Sequence, residues 1–373
     1  NWEIFNRNKK AIALDLAQKE GQQILYKMVA SADVFITNLR IFEREKFACT
    51  YKHIKAINPK IVYGSVTGFG SKGAEHDAPA FDQTAYWYRS GITHVLLPPG
   101  VPTIGFRAGF GDSVAGLGLF GGIMTALFNR DRTGEGQEVE ISLLGTGLYQ
   151  LSFDISGALA TGKDFQDMYA EKWDVNDPVI AERAKLTSKV ASAYDELWEH
   201  WKMNSRNPLA GAYLTKDNRT IFMNVLQPER YWEKVCQALD IGHAMKDKRF
   251  INQGDRLINH KDLYFIIKDA FKRFDLQAMY PRLIDNGVPF AVQRKLSEVI
   301  HDQQARDNGY FVEFEHPEFG PIEILASPLK LSDTPASYRL PAPQFSQHTE
   351  ETLLALGYSW EDIAKFKDNH TIP

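Results

Sequence analysis

The sequence predicts an α/β fold, with a large domain built on a parallel sheet and a smaller α+β domain after it. Short apolar runs alternate with helical segments in the first half of the chain, which is typical of a parallel sheet. A hairpin followed by amphipathic helices begins after residue 200. The chain has 373 residues, of which 44% are hydrophobic, so it can bury a full core and divide into two domains.

The first elements are short and alternate in type. Strands are predicted at residues 12–16, 33–37 and 60–66 from their apolar, β-branched composition. Helices are predicted at residues 20–31 and 51–57.

A helix rich in small residues is predicted directly after Asp112, and so small a set of side chains predicts tight packing. It ends in the polar glycine turn 129–137, and an alternating strand follows at residues 138–143. At the start of this helix the N–H groups and the helix dipole favour an ionised Asp112 carboxylate, and Gly111 lets a ligand approach. The alternative is an ordinary helix N-cap.

The second half is predicted to be mainly helical. A helical stretch runs to about residue 200, with Trp173, Trp198 and Trp201 as packing anchors. The hairpin at 213–223 turns at Asp217-Asn218, and a strand follows the helix stop at 286–289. Residues 328–343 are proline-rich and predict an extended arm. Further helices are predicted at 229–239, 261–273, 275–286, 350–356 and 360–366.

Composition and short motifs limit the classes of function that this chain can have. A net charge of -4 gives no support for binding nucleic acid. Cys49 and Cys236 lack disulfide or zinc spacing, and no apolar run approaches the roughly 20 residues of a membrane span. Gly68-Phe69-Gly70-Ser71-Lys72-Gly73 matches a dinucleotide fingerprint, but no helix follows it. We therefore expect a cytoplasmic enzyme with no nucleic-acid or membrane partner.

Six ordered blocks resemble the class III coenzyme A-transferases, the family that also holds α-methylacyl-CoA racemase. The resemblance is collinear over about residues 5–165. Its blocks are Asn6-Arg7-Asn8-Lys9-Lys10 with Ala13-Leu14-Asp15-Leu16, Glu20-Gly21, 32–40, 58–70, Gly111-Asp112 and Arg132-Thr133-Gly134-Glu135-Gly136-Gln137.

The resemblance implies that Asp112 is the nucleophile, that a coenzyme A thioester is the substrate, and that no other cofactor is needed. It also implies a Rossmann-like large domain over residues 1–200, a small domain over 201–325, an arm over 326–373 that returns to the large domain, and an interlocked homodimer. By family position the CoA contacts are Leu14, Asn38, Leu39, Arg40 and Lys46, although each basic residue could instead be a solvated surface charge and Leu14 a core residue. The family's Arg-Pro-Gly turn is Arg40-Ile41-Phe42 here, so the turn geometry departs from the pattern.

Two alternatives stay open. A racemase of this family carries a His-Asp pair where this chain has Phe81-Asp82, so CoA transfer to a carboxylic acid is favoured over proton exchange. A non-catalytic partner subunit is the other alternative, because the family's opening strand, turn and helix are absent before Asn6 and the chain resembles an N-terminally incomplete member. The aromatic run Tyr86-Trp87-Tyr88 predicts either an acyl pocket, placed with Phe81 and Asp82, or core packing.

Overall fold

The computed structural model describes residues 2–96, 107–162 and 207–373. The chain divides into two compact units. The large unit comprises Asn1–Asp174, Glu313–Ile324 and Leu329–Pro373, and the small unit comprises Val175–Val312 and Leu325–Pro328. The predicted anchors Trp173, Trp198 and Trp201, with the helical stretch predicted around them, lie outside the described residues.

A parallel sheet forms the centre of the large unit. Its described strands are β1 (Val34–Thr37), β2 (Val62–Thr67) and β3 (Glu138–Ser142), in the order β1-β2-β3. Both pairs are parallel, with Val34 opposite Val62 and Tyr63 opposite Glu138. Five of the six β2 residues are buried, as expected for a central strand covered on both faces. The strands predicted at residues 33–37, 60–66 and 138–143 are confirmed.

The strand predicted at residues 12–16 is wrong. This segment is irregular, and its backbone bonds to the C-terminal part of the chain instead of to a sheet. The Ala13 amide donates to Thr349 Oγ1 at 3.0 Å, and the Asp15 amide donates to the Thr371 carbonyl at 2.9 Å. The local pattern could not show that these partners lie more than 330 residues away.

The predicted small-residue helix is confirmed over Phe110–Thr133, hereafter the long helix, and Gly134 ends it in the left-handed conformation. Two of its glycines set the distance to the sheet. A Cβ added at Gly118 would lie 2.6 Å from Ile141 Cδ1, and one at Gly122 would lie 2.6 Å from Val139 Cγ1. A larger residue at either position would force these side chains to shift, whereas a Cβ at Gly116 or Gly121 would meet no atom within 4 Å. The prediction of tight packing therefore holds for one face of the helix.

The long helix also corrects the expectation about membrane spans. By length and composition it could cross a membrane, although helices in the core of soluble proteins pass the same test. One face packs on β2 and β3 through Leu119 and Ile123. The opposite face exposes apolar side chains, namely Leu117, Phe120, Met124 and Phe128.

Besides the long helix, the described part of the large unit contains ten helices. The C-terminal pair packs on the N-terminal part of the chain, in a cluster of Ile24, Leu353, Ile363 and Ile372. The helices are Trp2–Asn6, Lys19–Val29, Ile41–Lys46, Tyr51–Ile57, the π-helix Gln83–Tyr88, Ile92–Leu96, Leu143–Gln150, Ser152–Thr161, Thr349–Ala355 and Trp360–Asp368.

The small unit contains an antiparallel sheet of β4 (Ala210–Leu214), β5 (Thr220–Asn224) and β6 (Phe290–Val292). The predicted hairpin is confirmed, with Asn218 in the left-handed conformation at its turn. Its described helices are Pro228–Leu239, Gly242–Lys246, Gln253–Ile258, His260–Lys272, Leu276–Asp285, Leu296–Val299 and Gln303–Asp307.

A separate two-stranded sheet pairs β7 (Phe311–His316) with β8 (Gly320–Leu325), and most of both strands belongs to the large unit.

Candidate active site

A cleft of about 710 Å³ in the large unit brings most of the predicted site residues together. Its walls come from the loop after β1, the end of β2, the segment before the π-helix and the start of the long helix. The lining residues are Asn38, Leu39, Arg40, Ile41, Val66, Thr67, Gly68, His76, Ala78, Pro79, Ala80, Phe81, Asp82, Asp112, Gly116 and Leu143. Segments far apart in sequence therefore share one solvent-accessible space.

Asp112 is the third residue of the long helix, and the N-cap position is held by Gly109 with φ of 94°. Asp112 is therefore not the N-cap of this helix, so the alternative role predicted for it, as an ordinary cap, is wrong. Its side chain is exposed to the cleft. Partial loss of solvent raises the pKa of the Asp112 carboxyl, and the nearby Asp82 charge raises it further.

The capping function belongs to Asp82, which is 3% exposed. Its Oδ1 accepts from the Gly111 amide at 2.7 Å and from the Asp112 amide at 3.2 Å. Its Oδ2 accepts from the Gly109 amide at 2.9 Å and from Trp87 Nε1 at 3.2 Å. Four donors thus compensate a buried carboxylate.

This arrangement corrects the electrostatic expectation for Asp112. The helix start was expected to favour its ionised form, but the pKa of Asp112 is raised. The amides of Gly109, Gly111 and Asp112 point at Asp82, so they stabilise that carboxylate instead. For the same reason these three amides are already occupied and do not offer free donors to a reaction intermediate.

Gly111 is the residue that permits this contact. An added Cβ there would lie 2.2 Å from Tyr86 Cγ and 2.5 Å from Asp82 Oδ1. Trp87 packs edge-on against Tyr86 at 5.4 Å between ring centroids and against Phe110 at 6.0 Å. Trp87 is not among the residues that line the cleft, whereas Phe81 lines it and is 78% exposed.

The predicted CoA residues separate into two groups. Asn38, Leu39 and Arg40 line the cleft, and the Arg40 amide donates to Glu43 Oε2 at 2.9 Å. Arg44 was not among the predicted site residues, and its side chain is buried, with 5% exposure. Arg44 Nε donates to the Leu39 carbonyl at 2.6 Å, so a buried guanidinium holds this wall of the cleft in place.

Leu14 and Lys46 lie away from the cleft lining. Leu14 packs against the cluster that contains Ile24 and Leu353, which corresponds to the core alternative. Lys46 is exposed, with its Nζ 5.4 Å from the centroid of the Phe47 ring. Their assignment to CoA binding stays a prediction.

The cleft also contains an imidazole that the sequence analysis did not single out. His76 is exposed, and its Nδ1 lies 2.8 Å from the Gly73 carbonyl. Because a carbonyl only accepts, Nδ1 carries the hydrogen, and Nε2 is the acceptor in the neutral ring. Within residues 2–96, 107–162 and 207–373, no three His, Cys, Asp or Glu side chains are grouped to hold a metal ion.

Known proteins resemble this chain over nearly its whole length. It is 28% identical over 372 residues to (R)-2-hydroxy-4-methylpentanoate CoA-transferase of Clostridioides difficile, covering 100% of this chain and 84% of the relative. It is 26% identical to cinnamoyl-CoA:phenyllactate CoA-transferase of Clostridium sporogenes, covering 100% and 83%. It is 24% identical to formyl-CoA:oxalate CoA-transferase of Shigella sonnei, covering 99% and 85%.

Solved structures share the fold. A CAIB/BAIF family protein from Brucella suis superposes with a TM-score of 0.72 at 23% identity, covering 95% of this chain and 83% of the other. A Mycobacterium tuberculosis protein, Rv3272, superposes with a TM-score of 0.74 at 19% identity, covering 92% of this chain and 84% of the other.

The sequence model of CoA-transferase family III matches residues 1–176 and 186–349 of this chain. The chain therefore belongs to CoA-transferase family III.

Proposed function

We propose that this enzyme moves coenzyme A from an acyl-CoA to a carboxylic acid through covalent intermediates on Asp112. The observation that carries the proposal is the exposed Asp112 carboxylate in a cleft that is also lined by Asn38 and Arg40. A positive guanidinium suits the phosphates of CoA, and the carboxylate suits attack on a thioester.

The proposed reaction has four steps. Asp112 attacks the donor thioester, which gives a mixed anhydride and CoA thiolate. The thiolate then attacks the aspartyl carbonyl, which releases the donor acid and leaves aspartyl-CoA. The acceptor carboxylate attacks that thioester, which gives a second anhydride and thiolate. Attack of the thiolate on the acceptor acyl carbonyl forms the new acyl-CoA and regenerates Asp112, so atoms and charge balance without an external proton.

The raised pKa of Asp112 supports this role. Partial desolvation and the Asp82 charge both disfavour the free carboxylate relative to neutral forms. The anhydride and the thioester on Asp112 are neutral, so formation of either relieves the unfavourable interaction. A carboxylate that is destabilised as an anion forms a neutral acyl derivative more readily, and this reaction requires that property of its nucleophile.

A 2-hydroxy acid with a branched or aromatic side chain is the acceptor class that we propose. Two of the relatives are named for 2-hydroxy-4-methylpentanoate and for phenyllactate, which are both such acids. The cleft adds a chemical reason, because an imidazole Nε2 on His76 can accept a hydrogen bond from a substrate hydroxyl. Screening 2-hydroxy acids against the matching acids without the hydroxyl tests this class directly.

The test of the nucleophile is Asp112→Asn. The amide has nearly the same shape but cannot attack as an anion, so transfer should fall below a few per cent of wild type. Asp131→Asn, at an exposed carboxylate near the other end of the long helix, is the matched control and should retain full activity. Retained transfer in Asp112→Asn would contradict the assignment.

Proton exchange at the α-carbon is the second candidate, because His76 places an imidazole in the cleft although Phe81 stands at the racemase histidine position. Transfer remains the preferred function, since all three relatives described above are named CoA-transferases. Incubation of a 2-methylacyl-CoA in deuterated water distinguishes the two, because only proton exchange introduces deuterium.

We also propose that two copies form the interlocked homodimer that the family resemblance implies. The large unit exposes apolar side chains on neighbouring helices, including Phe120, Phe128, Tyr149, Phe153 and Leu159. Apolar surface of this extent is typical of a protein interface. Light scattering should give a mass of two chains, and Phe153→Glu should shift it toward one chain. A monomeric wild type would contradict the dimer.

A further inference from the structure

Asp82 is unusual because it caps a helix from a distant part of the chain. Helix N-caps normally come from the residue that immediately precedes the helix. Here the cap position is Gly109, which has no side chain, and the carboxylate reaches the helix start from 30 residues before Asp112. A local serine or asparagine at the cap position would accept from one of the first helical amides without burying a second negative charge beside Asp112.

The position of that charge suggests a role beyond capping. Asp82 bonds to the backbone amide of Asp112 itself and to the amides of Gly109 and Gly111 just before it. These bonds fix the turn that directs the Asp112 side chain into the cleft. Both carboxyl groups line the same cleft, but the Asp82 oxygens are engaged by four donors while the Asp112 carboxylate is exposed.

We propose that Asp82 is a positioning residue for CoA transfer, which holds the backbone of Asp112 and places a negative charge beside it that favours its acylated forms. The proposal rests on Asp112 as the nucleophile. The Asp82 charge remains fixed through the cycle, whereas Asp112 alternates between an anion and a neutral anhydride or thioester. Repulsion between the two carboxylates is therefore relieved each time Asp112 is acylated.

Other titratable groups also lie near Asp112 or along the cleft. Arg40 and His76 line the cleft, and the Tyr86 ring lies against Gly111. Desolvation is the larger cause of the raised pKa of Asp112, and the charge that raises it further is that of Asp82. The pKa of Tyr86 is itself raised by burial and by Asp82, so this tyrosine remains neutral across the working range.

The test is Asp82→Asn with Asp131→Asn as the control for loss of one carboxylate. Asparagine keeps one acceptor oxygen, loses the charge and presents an NH₂ group to one of the amides. We expect kcat to fall by about 10- to 100-fold, because the nucleophile loses its fixed orientation, while KM for the acyl-CoA changes little. The acid limb of the kcat/KM profile should move to lower pH. A purely structural cap would lower the fraction of active protein without moving that limb.

Two outcomes separate this proposal from the proposed function. If wild type forms an adduct on Asp112 and Asp82→Asn matches it in kcat and acid limb, the positioning role is overturned. If wild type forms no adduct on Asp112, the proposed function fails instead.

Hydrogen exchange in the wild type gives a test that does not depend on folding of the variant. The first amides of a helix usually exchange fast because they lack partners within the helix. The Gly111 and Asp112 amides should exchange slowly, because both donate hydrogen bonds to Asp82. Fast exchange at both amides would overturn the proposal.

Discussion

Gly111→Ala should damage both the stability and the activity of the enzyme. The new Cβ would lie 2.2 Å from Tyr86 Cγ and 2.5 Å from Asp82 Oδ1, and neither a buried ring nor a carboxylate with four donors can move freely. Overpacking of this kind costs about 1–3 kcal/mol. Loss of the 2.7 Å bond between the Gly111 amide and Asp82 adds about 1.5–3 kcal/mol, because the acceptor is charged.

The two costs together are about 3–5 kcal/mol, since they share one displacement and do not add fully. Thermal unfolding followed by circular dichroism should show a transition lower by on the order of 10 °C. Transfer activity of the folded fraction should fall by about 100-fold, because the same displacement moves the backbone of Asp112.

Gly242→Ala in the small unit is the control for this experiment. A Cβ at Gly242 meets no atom within 4 Å, so this exposed helical position should retain full activity and gain up to about 1 kcal/mol. Gly111→Ala with the melting temperature and activity of wild type would refute the packing argument, and with it the described geometry of the Asp82 contact.

Four further predictions concern Asp112, proton exchange at the α-carbon and Trp87. Activity should rise with pH through the pKa of Asp112, with a midpoint above that of an ordinary aspartate near 3.9, and a midpoint at or below that value would contradict the raised pKa. The folded protein binds the proton of the Asp112 carboxyl more tightly than the unfolded chain does, so the ionised carboxylate destabilises the fold at pH 7. Asp112→Asn should therefore melt at or above the wild-type temperature at pH 7. A 2-methylacyl-CoA in deuterated water should gain no α-deuterium above background, whereas rapid exchange without transfer would favour the racemase reaction. Trp87→Ala should reduce transfer to all acceptor acids alike, because Trp87 contacts Asp82, Tyr86 and Phe110; a changed ranking of acceptors would place the ring in the acyl pocket.

Local sequence patterns predicted those parts of the fold that depend on local chemistry. The β-branched runs of β1 and β2 and the glycine that ends the long helix are such features. The segment 12–16 has a strand-like composition, but its hydrogen-bond partners lie near the C-terminus, so composition gave the wrong element.

The candidate site divides in the same way. Family position identified Asp112 and the Asn38–Arg40 wall, and these residues line one cleft. The capping contact of Asp82 joins residues 30 positions apart, and Arg44 holds the cleft wall through a carbonyl. Neither contact has a sequence pattern, because both depend on how the π-helix and the first helices pack. His76 could have been found only as a histidine close to Phe81.

The proposed reaction depends on covalent acylation of Asp112, which chemical trapping can detect. Wild type incubated with a donor acyl-CoA and quenched with hydroxylamine should yield an aspartyl hydroxamate at Asp112, identified by mass spectrometry of the peptide that contains it. The label should depend on the acyl-CoA and be absent from Asp112→Asn. Multiple turnovers of CoA transfer without a label at Asp112, or with a label at another carboxylate, would contradict the account.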